Sequence, residues 1–140
     1  MPIQRTLSII KPDAMNSNLS GSIIKLIEEK GFKILAQKKI TLTRKQAEAF
    51  YAVHKERPFF GELVDFMLSG PISVQVLEAD NAVTLYREVM GSTNPEEAQP
   101  DTIRKLFGKN IQCNAVHGSD SEENAIIETC FFFSKLELIV

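Results

Sequence analysis

The order of strand-like and helix-like segments constrains the fold of this chain most strongly. Short apolar runs alternate with longer amphipathic stretches in the order β-α-β-α-α-β-α-loop-β-α, and no internal repeat or linker divides them. Strands that alternate in polarity or are very short favour an antiparallel sheet. We therefore predict an α+β fold, a ferredoxin-like sandwich with a four-stranded antiparallel sheet and helices packed on it. The length of 140 residues fits one domain, 1–140.

Alternating apolar residues carry two of the strand predictions. In segment 33–42 the residues that share one parity are Ile34, Ala36, Ile40 and Leu42, with Lys38 as the exception. In segment 72–76 the apolar residues Ile72, Val74 and Val76 alternate with Ser73 and Gln75. This alternation predicts strands with one buried face. Shorter strands are expected at 6–10, which Pro12 stops, and at 115–117.

Local signals mark the ends of the middle helices. Thr43 and Gln46 have the spacing of a capping box, so a helix is expected to start there and run through Tyr51. Gly31 suits the end of a helix over 20–30. Further helices are predicted at 59–68 and at 81–90, the second capped by Asp80. Segment 91–114 is a long irregular excursion with one short helical patch, and loops of this length are usually functional or disordered.

The last predicted helix spans 121–133. Ser119 and Glu122 have capping-box spacing at its start. Its apolar stripe consists of Ile126, Ile127, Cys130 and Phe131, which we expect to face the core. Glu128 lies outside that stripe, so the periodicity alone does not direct it inward.

Charge and composition exclude several classes of protein. Sixteen Lys and Arg residues against 18 Asp and Glu give a net charge of −2, so any anion site must be local and no nucleic-acid partner is expected. There are too few cysteines for a disulfide scaffold, no membrane span and no secretory signal, which predicts a cytoplasmic protein without a membrane partner. The P-loop, the Gly-x-Gly-x-x-Gly loop and the common metal-ligand spacings are absent, so no protein-held metal is expected.

His117 is the strongest candidate for chemistry. A strand end, a glycine and a capped helix start meet around it, and helix N-terminal amides attract anions. Neutral imidazole is nucleophilic near pH 7 because its pKa is about 6.5. His117 is therefore either a nucleophile in an anion-binding cleft or a hydrogen-bonded surface histidine. The second histidine, His54, fits a solvated position on a helix.

Arginine and aromatic residues offer weaker signals. Arg87 flanks the apolar face of its helix and Arg104 lies in the irregular excursion; each is either solvated or a guanidinium fork for phosphate. Phe59 and Phe60 are adjacent, so they cannot both face one core from a helix. Either one ring is exposed for stacking on a base, or both tuck under a loop.

Taken together, these segments resemble the nucleoside diphosphate kinase family over essentially the whole chain. The most specific motif is Asn114-x-x-His117-Gly118-Ser119-Asp120. The accompanying motifs are, in order, Lys11-Pro12-Asp13, Tyr51 with Arg57-Pro58-Phe59-Phe60, Ser69-Gly70-Pro71, Arg87, Gly91-x-Thr93-Asn94-Pro95-x-x-Ala98 and Thr102-Ile103-Arg104.

The resemblance implies an activity and residue roles. The γ-phosphate of a nucleoside triphosphate would pass to a nucleoside diphosphate in a ping-pong cycle, with His117 as the phosphorylated nucleophile. One ring nitrogen would take the phosphoryl group and the other would hydrogen-bond to Glu128, which Ser119 supports. The implied phosphate-facing set is Lys11, Tyr51, Arg87, Thr93 and Arg104, and the implied sugar-facing set is Lys11 and Asn114. Phe59 resembles the ring on which the base stacks, with Ile111 on the other side.

The resemblance also implies partners. Mg²⁺ should arrive with the nucleotide, with few or no direct protein ligands, and Asp120 could touch its water shell. Broad base tolerance is expected, because stacking discriminates weakly among bases. A homo-oligomer is expected, either a tetramer or a hexamer.

The chain departs from the usual family pattern at three places. Asp101 stands where a glycine commonly precedes Thr-Ile-Arg, and Lys105-Leu106 replaces a common Gly-Asp pair. Cys113 occupies a place that is often basic or polar. None of these positions is implied in the transfer, so they bear on nucleotide affinity more than on activity.

Two competing hypotheses differ in class. Cys113 and His117 could form the pair of a thiol hydrolase, but residues four apart on a strand lie about 13 Å from each other. A non-catalytic binding module is the other, since sheets of this kind often bind ligands or RNA without chemistry. The negative net charge and the lack of an aromatic RNA-binding motif weaken the RNA version.

Overall fold

The computed structural model describes residues 2–139 and contains one sheet. Its strands are β1 (Ile3–Ile10), β2 (Lys33–Ile40), β3 (Ile72–Asp80) and β4 (Val116–Gly118). Its helices are α1 (Pro12–Asn16), α2 (Ser20–Glu29), α3 (Arg44–Phe50), α4 (Phe60–Met67), α5 (Ala82–Met90), α6 (Ile103–Phe107) and α7 (Glu122–Phe132), with short 3₁₀ turns at Ala52–His54, Pro95–Glu97 and Lys135–Glu137. The end residues 1 and 140 of the predicted domain lie outside the described residues.

The sheet is antiparallel, with the strand order β2-β3-β1-β4. The central strands β1 and β3 pair along their whole length, and the short strand β4 adds to the free edge of β1. In that pairing His117 lies opposite Ile9. The predicted α+β sandwich with a four-stranded antiparallel sheet is confirmed, and its topology brings the histidine to an outer edge of the sheet.

Helices cover both faces of the sheet. On one face Leu7 and Ile9 pack in a cluster with α3, α4 and the end of α7. On the other face Ile10 packs in a cluster with α2 and α5. The prediction that segment 72–76 has only one buried face is therefore wrong. Ser73 and Gln75 are buried too, and Nε2 of Gln75 donates to the hydroxyl of Ser73, whereas Oε1 of Gln75 has no hydrogen-bond partner among residues 2–139.

The parity predicted for β2 is interrupted by a bulge. The register with β3 shifts between Ile34 and Ala36, so Leu35 is the extra residue of this strand. A bulge turns the following side chains to the other face of a sheet. Ile34 accordingly packs in one cluster while Leu35 and Ala36 pack in the other, and the single stripe predicted for 33–42 is wrong.

Several helix boundaries differ from the prediction. The capping box of Thr43 and Gln46 is confirmed. Asp80, however, ends β3 and does not cap α5, which follows Asn81 in a left-handed conformation with φ of 51°. The turn of helix α1 after Pro12 was not predicted. Proline is tolerated at a first helical turn because its missing N–H has no partner there in any case.

The start and the exposed face of α7 also correct the prediction. Ser121, not Ser119, caps this helix, because its hydroxyl accepts a hydrogen bond from the backbone N–H of Asn124. The predicted stripe faces outward, with Ile126 and Ile127 63% and 66% exposed. Ala125 and Phe132 are the buried residues instead, and this rotation turns Glu128 towards the sheet.

Gly118 generates a prediction about packing at the strand end. A Cβ at this position would lie 2.6 Å from Cδ2 of Tyr86 and 2.7 Å from Cε of Met90, both of which are buried. Overpacking of this kind typically costs about 1–3 kcal/mol. We expect Gly118→Ala to lower the free energy of unfolding in urea by about that amount.

Gly21 in α2 provides the matched control. A Cβ there meets nothing within 4 Å, so Gly21→Ala should raise the free energy of unfolding by up to ~1 kcal/mol through helix propensity. Equal effects of the two substitutions would contradict the packing described for Gly118.

Candidate active site

His117 projects from β4 into a short chain of hydrogen bonds. Its Nε2 lies 3.0 Å from Oε1 of Glu128 on α7. The ring of Phe50 packs edge-on against the imidazole, with 5.6 Å between ring centroids. The His117 side chain is 22% exposed and that of Glu128 is 19% exposed. The imidazole is therefore fixed on two sides yet open to a small ligand.

Ser119 completes the chain. Its hydroxyl donates to Oε1 of Glu128 at 2.7 Å, and its oxygen accepts the backbone N–H of Leu7 at 3.3 Å. A carboxylate only accepts hydrogen bonds, so the nitrogen that faces Glu128 is the protonated one in neutral imidazole. Nε2 consequently carries the proton, and Nδ1 keeps its lone pair for a substrate.

Tyr51 lies beside these hydrogen bonds of His117, Glu128 and Ser119. It lines an opening of about 110 Å³ together with His117 and Glu128. Its hydroxyl is buried and has no hydrogen-bond partner among residues 2–139. Burial, and secondly the carboxylate of Glu128, raise the pKa of Tyr51 above its usual range. The Tyr51 hydroxyl is therefore neutral and can donate a hydrogen bond to an oxygen acceptor.

Lys11 and Asn114 form a second set. Nζ of Lys11 donates to Oδ1 of Asn114 at 2.9 Å, and Nδ2 of Asn114 donates to the backbone oxygen of Thr93 at 3.1 Å. Burial, followed by repulsion from Arg104, lowers the pKa of Lys11 to about 8, although Asp13 opposes this change. A lysine destabilised in this way gains from the arrival of an anion.

The side chain of Arg104 is buried and is not solvated. Its guanidinium donates to the backbone oxygens of Gly91 at 3.1 Å and Val116 at 2.9 Å, and its Nε is buried without a hydrogen-bond partner among residues 2–139. Burial lowers its pKa, which the nearby Arg87 reinforces and Tyr86 opposes. Arg104, the exposed Arg87 and Thr93 line a depression of about 600 Å³.

Phe59 and Ile111 are exposed. Phe59 is 46% exposed and stands 5.5 Å from the ring of His54, while Phe60 packs against the core. Of the two alternatives, the structure therefore has one of the two adjacent rings exposed. Ile111 is 61% exposed on the excursion.

The structure brings only some of the predicted residues into direct contact. His117, Glu128 and Ser119 form one bonded set, and Lys11, Asn114 and the backbone of Thr93 form another. Among residues 2–139, no hydrogen bond is formed between the His117 side chain and the side chains of Tyr51, Arg87, Arg104 or Thr93. Arg104 belongs to neither set, but its guanidinium donates to the backbone oxygen of Val116, immediately before His117.

Two neighbours of the site escaped the sequence analysis. Phe50 is the last residue of α3 and directly precedes Tyr51, but helical periodicity does not tell which aromatic ring meets an imidazole from another element. Asp13 accepts the backbone N–H of Ala115 at 3.1 Å. The sequence signal for Asp13 is its place in the run Lys11-Pro12-Asp13, although this run alone assigns no role to the carboxylate.

The departures from the family pattern have local structural counterparts. Asp101 adopts φ of 67°, a left-handed conformation that glycine reaches without strain. Cys113 is half-buried and lies near enough to Lys11 to influence the pKa of Lys11. In the part of the chain that the structure describes, Cys113 makes no hydrogen bond to His117, and the thiol hydrolase pair has no support.

Metal-ligand groups and membrane-spanning helices can both be looked for among residues 2–139. No group of three or more His, Cys, Asp or Glu side chains that could hold a metal ion occurs among them. No helix among them has the length and apolar character to cross a bilayer.

Comparisons with known proteins identify the family of the chain. The family model described as nucleoside diphosphate kinase matches residues 4–138. A nucleoside diphosphate kinase of Hyphomonas neptunium is 62% identical over 138 residues, covering 99% of each chain, and one of Novosphingobium aromaticivorans is 58% identical over 139 residues, covering 99% of each chain.

Solved structures of nucleoside diphosphate kinases have the same fold as this chain. The Aquifex aeolicus nucleoside diphosphate kinase superposes with a TM-score of 0.97 at 47% identity, covering 99% of this chain and 100% of that one. A Halobacterium salinarum nucleoside diphosphate kinase, solved in complex with CDP, superposes with a TM-score of 0.94 at 35% identity, covering 99% and 93%. The chain therefore belongs to the nucleoside diphosphate kinase family, and it is an enzyme that transfers phosphate between nucleotides.

Proposed function

We propose that this enzyme moves the γ-phosphate of a nucleoside triphosphate to a nucleoside diphosphate through a phosphohistidine at His117. The observation that carries the proposal is the chain from Ser119 through Glu128 to Nε2 of His117, which leaves Nδ1 as the free nucleophile. A positioned imidazole with one nitrogen held by a carboxylate is well suited to accept and return a phosphoryl group.

The cycle has two mirror-image halves. In the first, the lone pair of Nδ1 attacks the γ-phosphorus, the bond from that phosphorus to the bridging oxygen breaks, and the nucleoside diphosphate leaves. In the second, a terminal oxygen of another nucleoside diphosphate attacks the phosphorus and the bond to Nδ1 breaks. The imidazole is cationic while it carries phosphate, and the carboxylate of Glu128 stabilises that charge through Nε2–H.

Fixed donors would stabilise the transferring group. Phosphoryl transfer depends on in-line positioning and on neutralising charge at the equatorial oxygens. Lys11, Arg87, Arg104, Thr93 and the hydroxyl of Tyr51 supply donors for the phosphates. Support for this assignment comes from the unpartnered hydroxyl of Tyr51 and the lowered pKa of Lys11, since an incoming phosphate relieves both. Lys11 and Asn114 would also bind the sugar hydroxyls.

Magnesium would enter with the nucleotide. The ion neutralises phosphate charge when bound, and it usually keeps several waters and few protein ligands. Asp120 is an exposed carboxylate that lines the opening beside His117, so it can accept hydrogen bonds from the water shell of the ion.

The base would meet apolar surfaces. Phe59 offers a half-exposed ring for stacking, and the exposed Ile111 would cover the other side of the base. Neither side chain has a donor or acceptor that could read a base edge. This pair therefore supports broad base tolerance.

Exposed apolar surface supports a homo-oligomer, a tetramer or a hexamer. The side chains concerned lie on α7 and the segment after it: Ile126, Ile127, Phe131, Leu136 and Ile139. Clustered apolar exposure of this kind is typical of protein–protein contacts. β2 is also an edge strand, and its outer side is covered in part by the C-terminal segment, where the backbone N–H of Ile139 donates to the oxygen of Leu35 at 2.9 Å.

Phosphoenzyme formation tests the nucleophile. After incubation with γ-labelled ATP and Mg²⁺, the protein should carry an acid-labile, base-stable label that moves to added GDP. His117→Ala should lose this label and at least ~10³-fold of kcat, since it removes the group that bonds to phosphorus. The matched control, Cys113→Ala, should keep the label. A label that persists in His117→Ala would sink the proposal.

Glu128 should act through the imidazole. Substitution of such a supporting carboxylate typically costs about 10–100-fold in activity. We expect Glu128→Gln to reduce the rate of phosphoenzyme formation by about that factor, because an amide stabilises the cationic ring less well than a carboxylate. The exposed Glu123→Gln on the same helix should match the unsubstituted enzyme. Rates within twofold of each other for the two variants would contradict the role of Glu128.

Nucleotide affinity should fall at mildly alkaline pH. Lys11 has a pKa of about 8 instead of 10.5, so the free enzyme loses this positive charge as the pH rises through about 8. The Kd of ADP, measured from pH 7.5 to 9.5, should therefore rise towards about tenfold per pH unit at the alkaline end.

Two variants identify the titrating group. Lys11→Arg keeps its charge throughout this range, so its profile should be flat. Cys113→Ser changes a neighbour of Lys11 and leaves the ammonium group in place, so its profile should keep the rise. A rise of the same size in Lys11→Arg would contradict the assignment to Lys11.

A further inference from the structure

The residue two places before His117 has a strained backbone. Ala115 adopts φ of 75°, the left-handed region that residues with a Cβ seldom occupy. The backbone N–H of Val116 donates to the oxygen of Asn114 at 2.9 Å, so Ala115 is the centre of a γ-turn with positive φ. This form of γ-turn is rare and strained, and it persists only where the surroundings hold it.

The segment after β1 holds this turn from both sides. The backbone N–H of Lys11 donates to the oxygen of Ala115 at 2.8 Å, and Oδ2 of Asp13 accepts the N–H of Ala115 at 3.1 Å. Ala115 is fully buried, so water cannot replace either bond. Together the two bonds fix the peptide groups before and after the strained residue.

The carboxylate of Asp13 is committed to this contact. Its other oxygen, Oδ1, is buried and has no hydrogen-bond partner among residues 2–139. Asp13 follows Pro12 in the first turn of α1, where the fixed φ of proline helps to set the direction of the chain. A buried carboxylate oxygen without a partner is costly, and such features tend to persist where a required geometry depends on them.

The turn separates two residues of the site. Asn114, on one side, links Lys11 to the backbone of Thr93. On the other side β4 begins at Val116, and His117 meets Glu128 from there. A change of φ at Ala115 would swing these two groups relative to each other, and misplacement by about 1 Å can cost ~10²-fold in rate.

We propose that Asp13 is a positioning residue for phosphoryl transfer, which holds the strained turn at Ala115 and so sets the His117 imidazole against the phosphate-binding residues. This inference rests on the proposed role of His117. Asp13 touches neither phosphate nor imidazole in this role, and it acts through one backbone N–H.

A second effect of the same carboxylate must be separated from the first. Asp13 carries a negative charge near Lys11, so its loss also changes the electrostatics of the nucleotide site. Asp13→Asn separates the two effects, because an amide oxygen can still accept the N–H of Ala115 while the charge is gone. Ala115→Gly separates them in another way, because glycine adopts a positive φ without strain.

The experiment measures single-turnover phosphorylation of His117 by ATP, together with steady-state kcat and KM. Asp13→Ala should lower the phosphorylation rate about 10–100-fold while KM changes by less than about threefold. Asp13→Asn should recover most of the rate. Adding Ala115→Gly to Asp13→Ala should recover part of it. The control Asp80→Ala removes an exposed carboxylate at the far end of β3 and should match the unsubstituted enzyme. Asp13→Ser replaces Asp13→Ala if the latter does not fold.

Three outcomes would overturn the inference. Asp13→Asn as slow as Asp13→Ala would assign the effect to charge. An unchanged phosphorylation rate in Asp13→Ala would show that the turn holds without it. Failure of Ala115→Gly to raise the rate of Asp13→Ala would show that backbone strain is not the cause. These outcomes differ from failure of the proposed function, in which His117→Ala itself would still become labelled.

Discussion

The shared carboxylate of Glu128 is the interaction on which the site depends. It accepts from Ser119 and from His117, which lie on either side of Gly118 at the end of the sheet, while Glu128 itself belongs to α7. A partly buried carboxylate needs such donors, since leaving it unpaired is costly. The same bonds hold α7 against the sheet edge and orient the imidazole of His117, so they serve the packing of the fold and the geometry of the site together.

The sheet is buried on both faces next to the site. β1 lies between β3 and β4, and helices pack on both faces of it, so β4 attaches to a strand that is held from every side. His117 faces the layer of α3 and α7, whereas Gly118 faces Tyr86 and Met90 in the other layer. The alternation of a strand thus places the imidazole of His117 in one layer and its neighbour Gly118 against the other.

How far the sequence predicts this molecule varies with the range of the interactions. The capping box at Thr43, the helix end at Gly31 and the overall strand and helix order follow from local rules. Errors arise where tertiary contacts decide. The bulge at Leu35 reverses a parity, the outward rotation of α7 exposes Ile126, and Ser119 bonds a distant carboxylate when local spacing suggests a cap. The predicted site residues follow from sequence motifs, because helical spacing alone does not indicate that Glu128 faces the sheet.

The buried hydroxyl of Tyr51 has a consequence for selectivity. This hydroxyl has no hydrogen-bond partner among residues 2–139, and a buried donor of this kind gains free energy when an oxygen acceptor reaches it. An apolar or cationic ligand group leaves the donor without a partner. The Tyr51 hydroxyl therefore favours ligands that place an anionic oxygen beside it over molecules of similar size that have none.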